Sequence, residues 1–382
     1  MSPDLKSGMG RRGFIRAVCL GCGALGGGVV SGALLSGRTL AGEQDFRKEA
    51  MFYEKLPDGV IRCLICPRQC VVGDSGRGYC DVRENLSGTY YTIVYKRVCT
   101  YHVDPIEKKP LFHFLPGTTA FSLATVGCNL DCKFCQNWEI SQEKPENVDA
   151  SMISPDDVAA ATLGSKSPTV AYTYTEPTVY FEFMLDTARR GHAAGLKSVV
   201  ISNGYINRDP LLLLCREMNA IKIDLKAYSQ EFYAKVCNGN LKPVLDAIVA
   251  VKTSGTWLEI VYLVIPTLND EEKDIDAMSK WLLANVGPEV PVHFTRFYPT
   301  YKLKNIPPTS VAAVERARQV AMARGLRYVY VGNVPSGHPG ESTYCPGCGE
   351  VAIKRAGYTI QANNLRNGTC SRCGKVIPGV WS

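Results

Sequence analysis

The chain has 382 residues, of which 46% are hydrophobic and 21% are charged. This composition is ordinary for a folded globular protein and excludes a disordered or fibrous chain. The formal net charge is +7, but the first 41 residues carry +4 of it. The remainder carries only +3 and contains no basic run with interleaved aromatic residues, so we expect no nucleic-acid partner.

The N-terminus has the features of a targeting segment. Arg11-Arg12 precedes an uncharged, glycine-rich apolar run from Ala17 to Leu35, and Thr39-Leu40-Ala41 offers a small-residue cleavage site. We predict that residues 1–41 form a twin-arginine-type signal segment, that the protein is exported to the periplasm, and that no stable membrane span is left after its removal. The alternatives are a retained membrane helix or a cytoplasmic protein.

Most of the sixteen cysteines fall into three clusters, and C-x2-C spacing within a cluster indicates metal binding rather than disulfides. In the N-terminal region, residues 42–117, four cysteines within eighteen residues predict a closed four-thiolate site. Zinc and a second Fe–S cluster both suit it. The four residues are Cys63, Cys66, Cys70 and Cys80.

Residues 336–382 contain the pattern C-x2-C…C-x2-C with glycines beside the cysteines. This spacing predicts a zinc-ribbon-like domain with a structural zinc ion, because a closed tetrahedral site leaves no open position. The expected ligands are Cys345, Cys348, Cys370 and Cys373.

Between these regions, over residues 118–335, strand-like and helix-like runs alternate. Repeated βα units predict an α/β fold with a parallel sheet, here a partial barrel of the (β/α)6 type with its site at the carboxyl ends of the strands. The predicted strands are 119–126, 168–174, 197–202, 220–225, 257–265, 291–297 and 327–332. The predicted helices lie near 155–164, 178–194, 209–218, 229–236, 241–253, 271–286 and 309–324.

The third cysteine cluster follows the first of these strands, in the order Cys128, Cys132 and Cys135. Thiolates are soft ligands that suit zinc or an Fe–S cluster. A closed zinc site needs four protein ligands, and this loop supplies three. The pattern therefore favours a [4Fe–4S] cluster with one open iron. The alternative is a zinc site completed by a remote residue such as Cys99 or His113.

Polar residues stand at the ends of the later strands. Glu176 follows the second predicted strand, and Ser202-Asn203-Gly204 follows the third. In the fourth, alternation places Asp224 and Lys226 on one face, where a charged pair is costly unless it has a partner or a function. His293 lies inside the sixth strand. Residues 104–117 read either as a solvated connector or as a loop that closes over the site.

Several tracts together resemble one known family. Cys128 to Asn137 is similar to the radical S-adenosylmethionine (SAM) signature C-x3-C-x-aromatic-C, with Phe134 as the aromatic residue. The wider chain resembles the radical SAM member of the AmmeMemoRadiSam group, which is related to pyruvate formate-lyase activating enzymes. The further matching tracts are Cys63-Leu64-Ile65-Cys66-Pro67, Asp104 to Leu111, Tyr174 to Thr178, Ile223 to Lys226 and Ile377 to Trp381.

The resemblance implies that Cys128, Cys132 and Cys135 bind a [4Fe–4S] cluster whose reduction cleaves SAM to a 5′-deoxyadenosyl radical. That radical would abstract hydrogen from a substrate, for example a glycine of a partner protein, with ferredoxin or flavodoxin as electron donor. The resemblance assigns no catalytic side chain. The alternative function is a metal-binding scaffold or electron-transfer protein without SAM chemistry. The implied SAM-site residues are Glu176, Ser202, Asn203, Asp224, Lys226 and His293.

Overall fold

The computed structural model describes residues 46–382. The predicted signal segment, residues 1–41, lies outside this part of the chain. No helix within residues 46–382 is both long enough and apolar enough to cross a membrane.

One sheet of eight strands forms the centre of the molecule. Its strands follow one another in space in the same order as in the sequence. The last seven are parallel, and the first pairs with the second in the antiparallel sense. In chain order they are β1 (Thr100–Pro105), β2 (Thr119–Ala124), β3 (Thr169–Tyr172), β4 (Lys197–Ser202), β5 (Ala220–Asp224), β6 (Trp257–Val264), β7 (Val292–Arg296) and β8 (Val329–Gly332).

A helix follows each strand from β2 to β7, so six βα units build the sheet, as predicted. Because β1 and β8 are its two edges, the barrel is open. The mixed α/β fold with a partial parallel barrel is therefore confirmed. The helices are α1 (Pro155–Gly164), α2 (Phe181–Ala193), α3 (Arg208–Glu217), α4 (Leu241–Ser254), α5 (Glu272–Val286) and α6 (Val311–Ala323).

Local sequence signals explain where these helices begin and end. Ser154 and Asp157 form a reciprocal capping box at the start of α1, and the Ser310 hydroxyl accepts a hydrogen bond from a backbone amide of α6. Gly255 ends α4 with a φ of 84°, a left-handed conformation that favours glycine.

The N-terminal region consists of short strands. The strand Thr89–Thr92 pairs with Arg83–Leu86 across a turn in which Ser87 and Gly88 have positive φ. The strand Lys48–Glu49 pairs with the other edge of Thr89–Thr92. The remaining short strands in this part of the chain are Tyr53–Lys55, Ile61–Cys63, Val71–Val72, Arg97–Val98 and Ser151–Met152.

Two elements differ from the prediction. Thr100–Pro105 is a strand, although we had assigned no strand there and had read the chain from Asp104 onward as a loop. The helix predicted over 229–236 divides into a single α-turn, Gln230–Phe232, and a π-helical turn, Tyr233–Cys237, which ends at Asn238 with a φ of 53°. A π-turn is a local widening that hydrophobic periodicity does not encode.

The C-terminal region is a small β-structure that packs on the barrel. Its strands are Thr343–Tyr344, Val351–Ala356, Thr359–Asn363, Leu365–Arg366 and Thr369–Cys370. The remaining short helices of the described chain are Pro57–Gly59, Ile106–Lys108, Trp138–Ser141, Pro145–Asn147, Pro177–Tyr180 and Pro339–Glu341.

His113 joins the C-terminal region to the barrel. Its Nδ1 lies 2.7 Å from the carbonyl oxygen of Pro378, and its Nε2 lies 2.6 Å from the Tyr330 hydroxyl. A neutral ring that donates from Nδ1 and accepts at Nε2 satisfies both bonds. Burial lowers the pKa of His113 to about 4, against an ordinary value of 6.5.

This burial predicts a pH-dependent stability. Below pH 6.5 the unfolded chain binds a proton at His113 that the folded chain refuses, so stability is lost as the pH falls from 6.5 towards 4, by at most about 3 kcal/mol. In urea titrations, the destabilisation caused by His113→Gln should therefore shrink as the pH falls. His102→Gln is the control for replacing an exposed histidine. A penalty for His113→Gln that stays constant with pH would contradict this account.

Candidate functional site

The loop that carries Cys128, Cys132 and Cys135 follows β2 at the carboxyl edge of the sheet. Two of its amides are bound by the π-helical turn: Asp131 donates to the carbonyl of Cys237 at 3.0 Å, and Lys133 donates to the carbonyl of Val236 at 2.9 Å. The loop is thus held from below by β2 and from the side by the π-turn.

A cavity of about 530 Å³ opens beside this loop, and all three thiols line it. Its volume is in the range of small-molecule sites. Ser202 is absent from the lining of this cavity, which otherwise includes every residue that the resemblance assigned to SAM binding. Those lining residues are Glu176, Asn203, Asp224, Lys226 and His293.

Glu176 is buried and its carboxylate connects two neighbouring strand ends. One oxygen accepts bonds from the Thr178 amide and from the Ser202 hydroxyl, the latter at 2.7 Å; the other accepts the Asn203 amide at 2.8 Å. Burial raises the pKa of Glu176, while these donors oppose the shift. Ser202 therefore lies behind the cavity wall and fixes the orientation of Glu176.

Asn203 extends this network to the cysteine loop. Its side-chain amide donates to the side-chain oxygen of Asn129 at 2.9 Å and lies 3.7 Å from the Cys128 sulfur. Asn129 in turn donates to the carbonyl of Tyr205 at 2.7 Å. The position of the first cysteine is consequently coupled to the turn that follows β4.

Asp224 lies between two lysines on the cavity side of β5. Lys226 contacts one carboxylate oxygen at 2.9 Å, and Lys222 contacts the other. Burial alone would raise the pKa of Asp224, but the two ammonium groups outweigh it and lower the pKa to about 2. The site therefore contains a fixed carboxylate flanked by two cations.

Lys222 was missed in the sequence analysis. It is buried and lines the cavity together with Asp224 and Lys226. The strict alternation from Ile221 to Lys226 was the available signal, because it places all three charged residues on one face of the strand.

His293, on β7, also lines the cavity. Its Nε2 lies 2.7 Å from a carboxylate oxygen of Glu259, a fully buried residue of β6. Burial lowers the pKa of His293, and the Glu259 carboxylate opposes this shift. Glu259 also accepts hydrogen bonds from the backbone amides of Phe112 and His113, so it joins β6 to the loop between β1 and β2.

The loop between β1 and β2 forms part of the cavity wall. Lys108, Lys109 and Pro110 line the cavity, although we had left open whether residues 104–117 were only a solvated connector. The Asp104 carboxylate contacts the Lys109 ammonium and the Tyr174 hydroxyl. Burial lowers the pKa of Lys109 to about 8, against the opposing effect of Asp104.

Cys237, which lies outside the three cysteine clusters of the sequence, is a fourth cysteine in contact with this loop. It is fully buried on the π-helical turn, and its side chain interacts with that of Cys132. Cys237 does not line the cavity, whereas the three loop cysteines do. Its thiol therefore lies behind Cys132, and within residues 46–382 no fourth cysteine lines the cavity.

The two remote residues considered as a fourth zinc ligand are engaged elsewhere. The Cys99 thiol lies 3.4 Å from the carbonyl of Ala124. Both ring nitrogens of His113 are bonded to Pro378 and Tyr330. Three soft thiols beside a cavity of small-molecule size thus fit a [4Fe–4S] cluster with one open coordination position next to a bound ligand.

The C-terminal cysteines form a separate group far from these contacts. Their sulfur atoms lie within 4.8 Å of one another, with 3.5 Å between Cys345 and Cys373 and 3.8 Å between Cys348 and Cys370. Backbone amides of Cys373 and Arg372 lower the pKa of Cys370 to about 7, which favours the thiolate that metals bind. This cysteine cluster can bind a metal ion.

Comparison with known proteins agrees with this geometry. The sequence model of the radical SAM superfamily matches residues 122–278, which include the three loop cysteines and the strand ends from β2 to β6. Uncharacterized protein MJ0808 of Methanocaldococcus jannaschii is 45% identical over 332 residues, which cover 86% of this chain and 98% of that protein.

Two more distant similarities were found. Uncharacterized protein MJ0674 of the same organism is 25% identical over 285 residues, covering 70% of this chain and 76% of that protein. A domain of a pyruvate-formate lyase-activating enzyme from Bacteroides vulgatus has 18% identity and a TM-score of 0.39, and the match covers 43% of this chain and 98% of that one. A structural similarity of that degree supports no argument by itself.

The radical SAM match lies on the cysteine loop and on the strands that surround the cavity, and it implies a [4Fe–4S] cluster and SAM as cofactors. The relative from Methanocaldococcus jannaschii is similar over 86% of this chain. The chain belongs to the family of that archaeal protein, and its residues 122–278 form a radical SAM domain.

Proposed function

We propose that the protein is an enzyme that cleaves SAM reductively and uses the product to abstract a hydrogen atom from a substrate. The observation that supports this best is the shared cavity: three thiols and the charged group Lys222, Asp224 and Lys226 line one space of about 530 Å³. In the proposed enzyme, Cys128, Cys132 and Cys135 hold the cluster. When bound, the cluster and SAM supply a 5′-deoxyadenosyl radical by one-electron cleavage.

The residues around the cavity suit a ligand such as SAM, which carries an amino group, a carboxylate, hydroxyl groups and a nucleobase. Asp224 offers a permanent carboxylate acceptor, and Lys222 and Lys226 offer donors next to it. Asn203 lines the wall nearest to Cys128. Because these groups already bond one another, a ligand meets a preorganised polar wall.

Other residues of the chain exclude water and fix the cavity. Tyr174, at the end of β3, adopts a φ of 67°, a strained conformation for a tyrosine, and its hydroxyl donates to Asp104. Asn137 donates to the Tyr174 carbonyl at 2.7 Å, which ties this turn to the end of the cysteine loop. We propose that this arrangement shields the reacting centre from solvent.

The substrate class and the donor are part of the proposal. The resemblance to activating enzymes makes a glycine of a partner protein the first substrate to test, ahead of small molecules. The electron donor is proposed to be a ferredoxin or a flavodoxin. We further propose export by the twin-arginine route, in which a folded protein carries its cluster across the membrane.

The zinc ion is proposed for the C-terminal group alone. Sulfur separations of 3.5 and 3.8 Å match a tetrahedron around one ion with Zn–S bonds of about 2.3 Å. Gly349 and Gly374 have φ values of 76° and 74°, and their amides donate to the carbonyls of Cys345 and Cys370. These turns bring each cysteine pair to one centre, and the site is structural.

The first prediction concerns SAM cleavage. The anaerobically reconstituted full chain, given dithionite and SAM, should release 5′-deoxyadenosine and methionine, measured by liquid chromatography with mass spectrometry. Cys132→Ala should abolish the release, because the cluster loses one of its three ligands. Cys215→Ala, at a buried cysteine on α3, is the matched control and should retain it. If wild-type protein with a full cluster releases no 5′-deoxyadenosine, the electron-transfer or scaffold function is favoured instead.

The second prediction concerns Asp224. Asp224→Asn removes the carboxylate that pairs with both lysines, and losing one charged hydrogen bond of about 1.5–3 kcal/mol corresponds to SAM binding weakened about tenfold or more. The measurement is the SAM concentration that half-saturates the change in the electron paramagnetic resonance (EPR) spectrum of the reduced protein. The control is Asp246→Asn, which removes the carboxylate that pairs with the exposed Lys242 on α4. Equal SAM affinity in both variants would show that Asp224 does not contribute to binding.

The third prediction concerns the C-terminal metal. Purified protein should contain about one zinc at this site, since four thiolates close around one ion. Cys348→Ser should remove that zinc and lower the melting temperature, while Cys99→Ser should retain it. Elemental analysis of the three proteins decides the point, and zinc content unaffected by Cys348→Ser would refute the assignment.

A further inference from the structure

The N-terminal cysteines are brought together by tight backbone turns. The amide of Cys63 donates to the carbonyl of Cys70 at 2.9 Å, and the amide of Tyr79 lies 3.3 Å from the Cys70 sulfur. Cys63 and Cys66 are buried, and Cys70 and Cys80 are half-buried. The four cysteines thus lie close together before any metal is considered.

Two polar side chains lie beside this cluster. The Tyr90 side chain is fully buried, and its hydroxyl faces the Cys63 thiol and helps to lower the pKa of that thiol against the effect of burial. A Cβ atom on Gly78 would lie 2.7 Å from that hydroxyl and 3.8 Å from the Cys70 sulfur, so the hydroxyl lies among the thiols. A buried hydroxyl needs an acceptor, and a metal-bound Cys63 thiolate would supply one.

Arg83 supplies a positive charge next to the same thiols. Its side chain is fully buried and forms a two-bond ion pair with Glu182, at 3.0 and 2.7 Å. Its Nε is without a partner among the described residues. Attraction to Cys63 and Cys80 is among the influences that raise its pKa, although burial opposes the charge. A guanidinium in this place stabilises an anionic metal–thiolate group.

The spacing of the thiols distinguishes the two metals that remained open. Within residues 46–382, only the C-terminal cysteines bring three or more Cys, His, Asp or Glu ligand atoms within 4.8 Å of one another. Neither the four N-terminal cysteines nor the three cysteines of the loop after β2 bring three sulfur atoms within 4.8 Å of one another. A cubane cluster holds its thiolates farther apart than one zinc ion does, because four irons and their sulfides lie between them.

The cysteine loop of the active site provides an internal comparison. The radical SAM match implies a [4Fe–4S] cluster there, and its thiols are wider apart than those of the C-terminal group. The N-terminal set shares this wider spacing, but it has four thiols instead of three. We propose that Cys63, Cys66, Cys70 and Cys80 bind a second [4Fe–4S] cluster, fully coordinated by protein, and not zinc.

This second cluster adjoins the first. Cys80 and Cys128 line the same smaller cavity of about 320 Å³. A Cβ atom on Gly127 would lie 3.0 Å from the Cys80 carbonyl oxygen, and Arg68 donates to the Asn129 carbonyl at 2.6 Å. With four protein ligands the second cluster has no open iron for SAM, so its chemistry is limited to holding and passing single electrons to its neighbour.

The test is metal analysis of two matched double variants of the full chain, each losing one C-x2-C pair. Cys63→Ser/Cys66→Ser should lose about four irons and no zinc, since one cubane holds four irons. Cys345→Ser/Cys348→Ser should lose zinc and no iron. A loss of zinc in the first variant, with its iron unchanged, would overturn the proposal.

Wild-type protein gives an answer that does not depend on how the variants fold. Iron and sulfide analysis with Mössbauer spectroscopy should show about eight irons per chain in two cubanes, plus about one zinc. About four irons with two zinc ions would overturn the proposal. In the reduced wild-type protein, spin–spin coupling between the two clusters should also broaden the EPR signal. This broadening should be absent when Cys128, Cys132 and Cys135 are all changed to Ser. Protein with eight irons that fails to cleave SAM would refute the proposed function and leave this site intact.

Discussion

The site depends on the hydrogen bonds that the buried carboxylate of Glu176 accepts. This carboxylate accepts two hydrogen bonds from Thr178 beside it and two from Ser202 and Asn203, which join it to the end of β4. Asn203 continues this connection to Asn129 in the cysteine loop. Burying a carboxylate is expensive unless donors surround it, and here each donor belongs to an element that shapes the cavity. The cysteines are therefore oriented by the sheet as a whole and not by their own loop alone.

The same logic extends around the barrel. A parallel strand buried on both faces normally contains only apolar residues, yet β5, β6 and β7 each place charged or titratable residues on the cavity side. Lys222 and Lys226 neutralise Asp224, and His293 bonds Glu259. Each of these buried groups therefore has a polar partner, with two lysines sharing one aspartate.

Much of this architecture could be predicted from the sequence. The six βα units and the partial barrel follow from the alternation of apolar runs and from their spacing. The cysteine loop was identified because its residues are local in the chain. Ile221 to Lys226 also carried enough information to find Lys222, since alternation alone places it beside Asp224.

Other features required the folded chain. The antiparallel strand β1 was not predicted, because its pairing with β2 depends on contacts that its own sequence does not specify. Cys237 lies about a hundred residues from Cys132 and reaches it through a π-helical turn, which has no sequence period. Ser202 was grouped with its neighbours by its position at a strand end, but its hydroxyl bonds Glu176 behind the cavity wall.

The central claim is that the cysteine loop leaves one iron free to bind SAM. Electron–nuclear double resonance of the reduced protein with SAM labelled with ¹⁵N in its amino group tests it most directly. The account predicts a hyperfine coupling between that nitrogen and the cluster, which Cys237→Ala retains and Cys132→Ala removes. A fully loaded cluster that shows no coupling to saturating labelled SAM would contradict it.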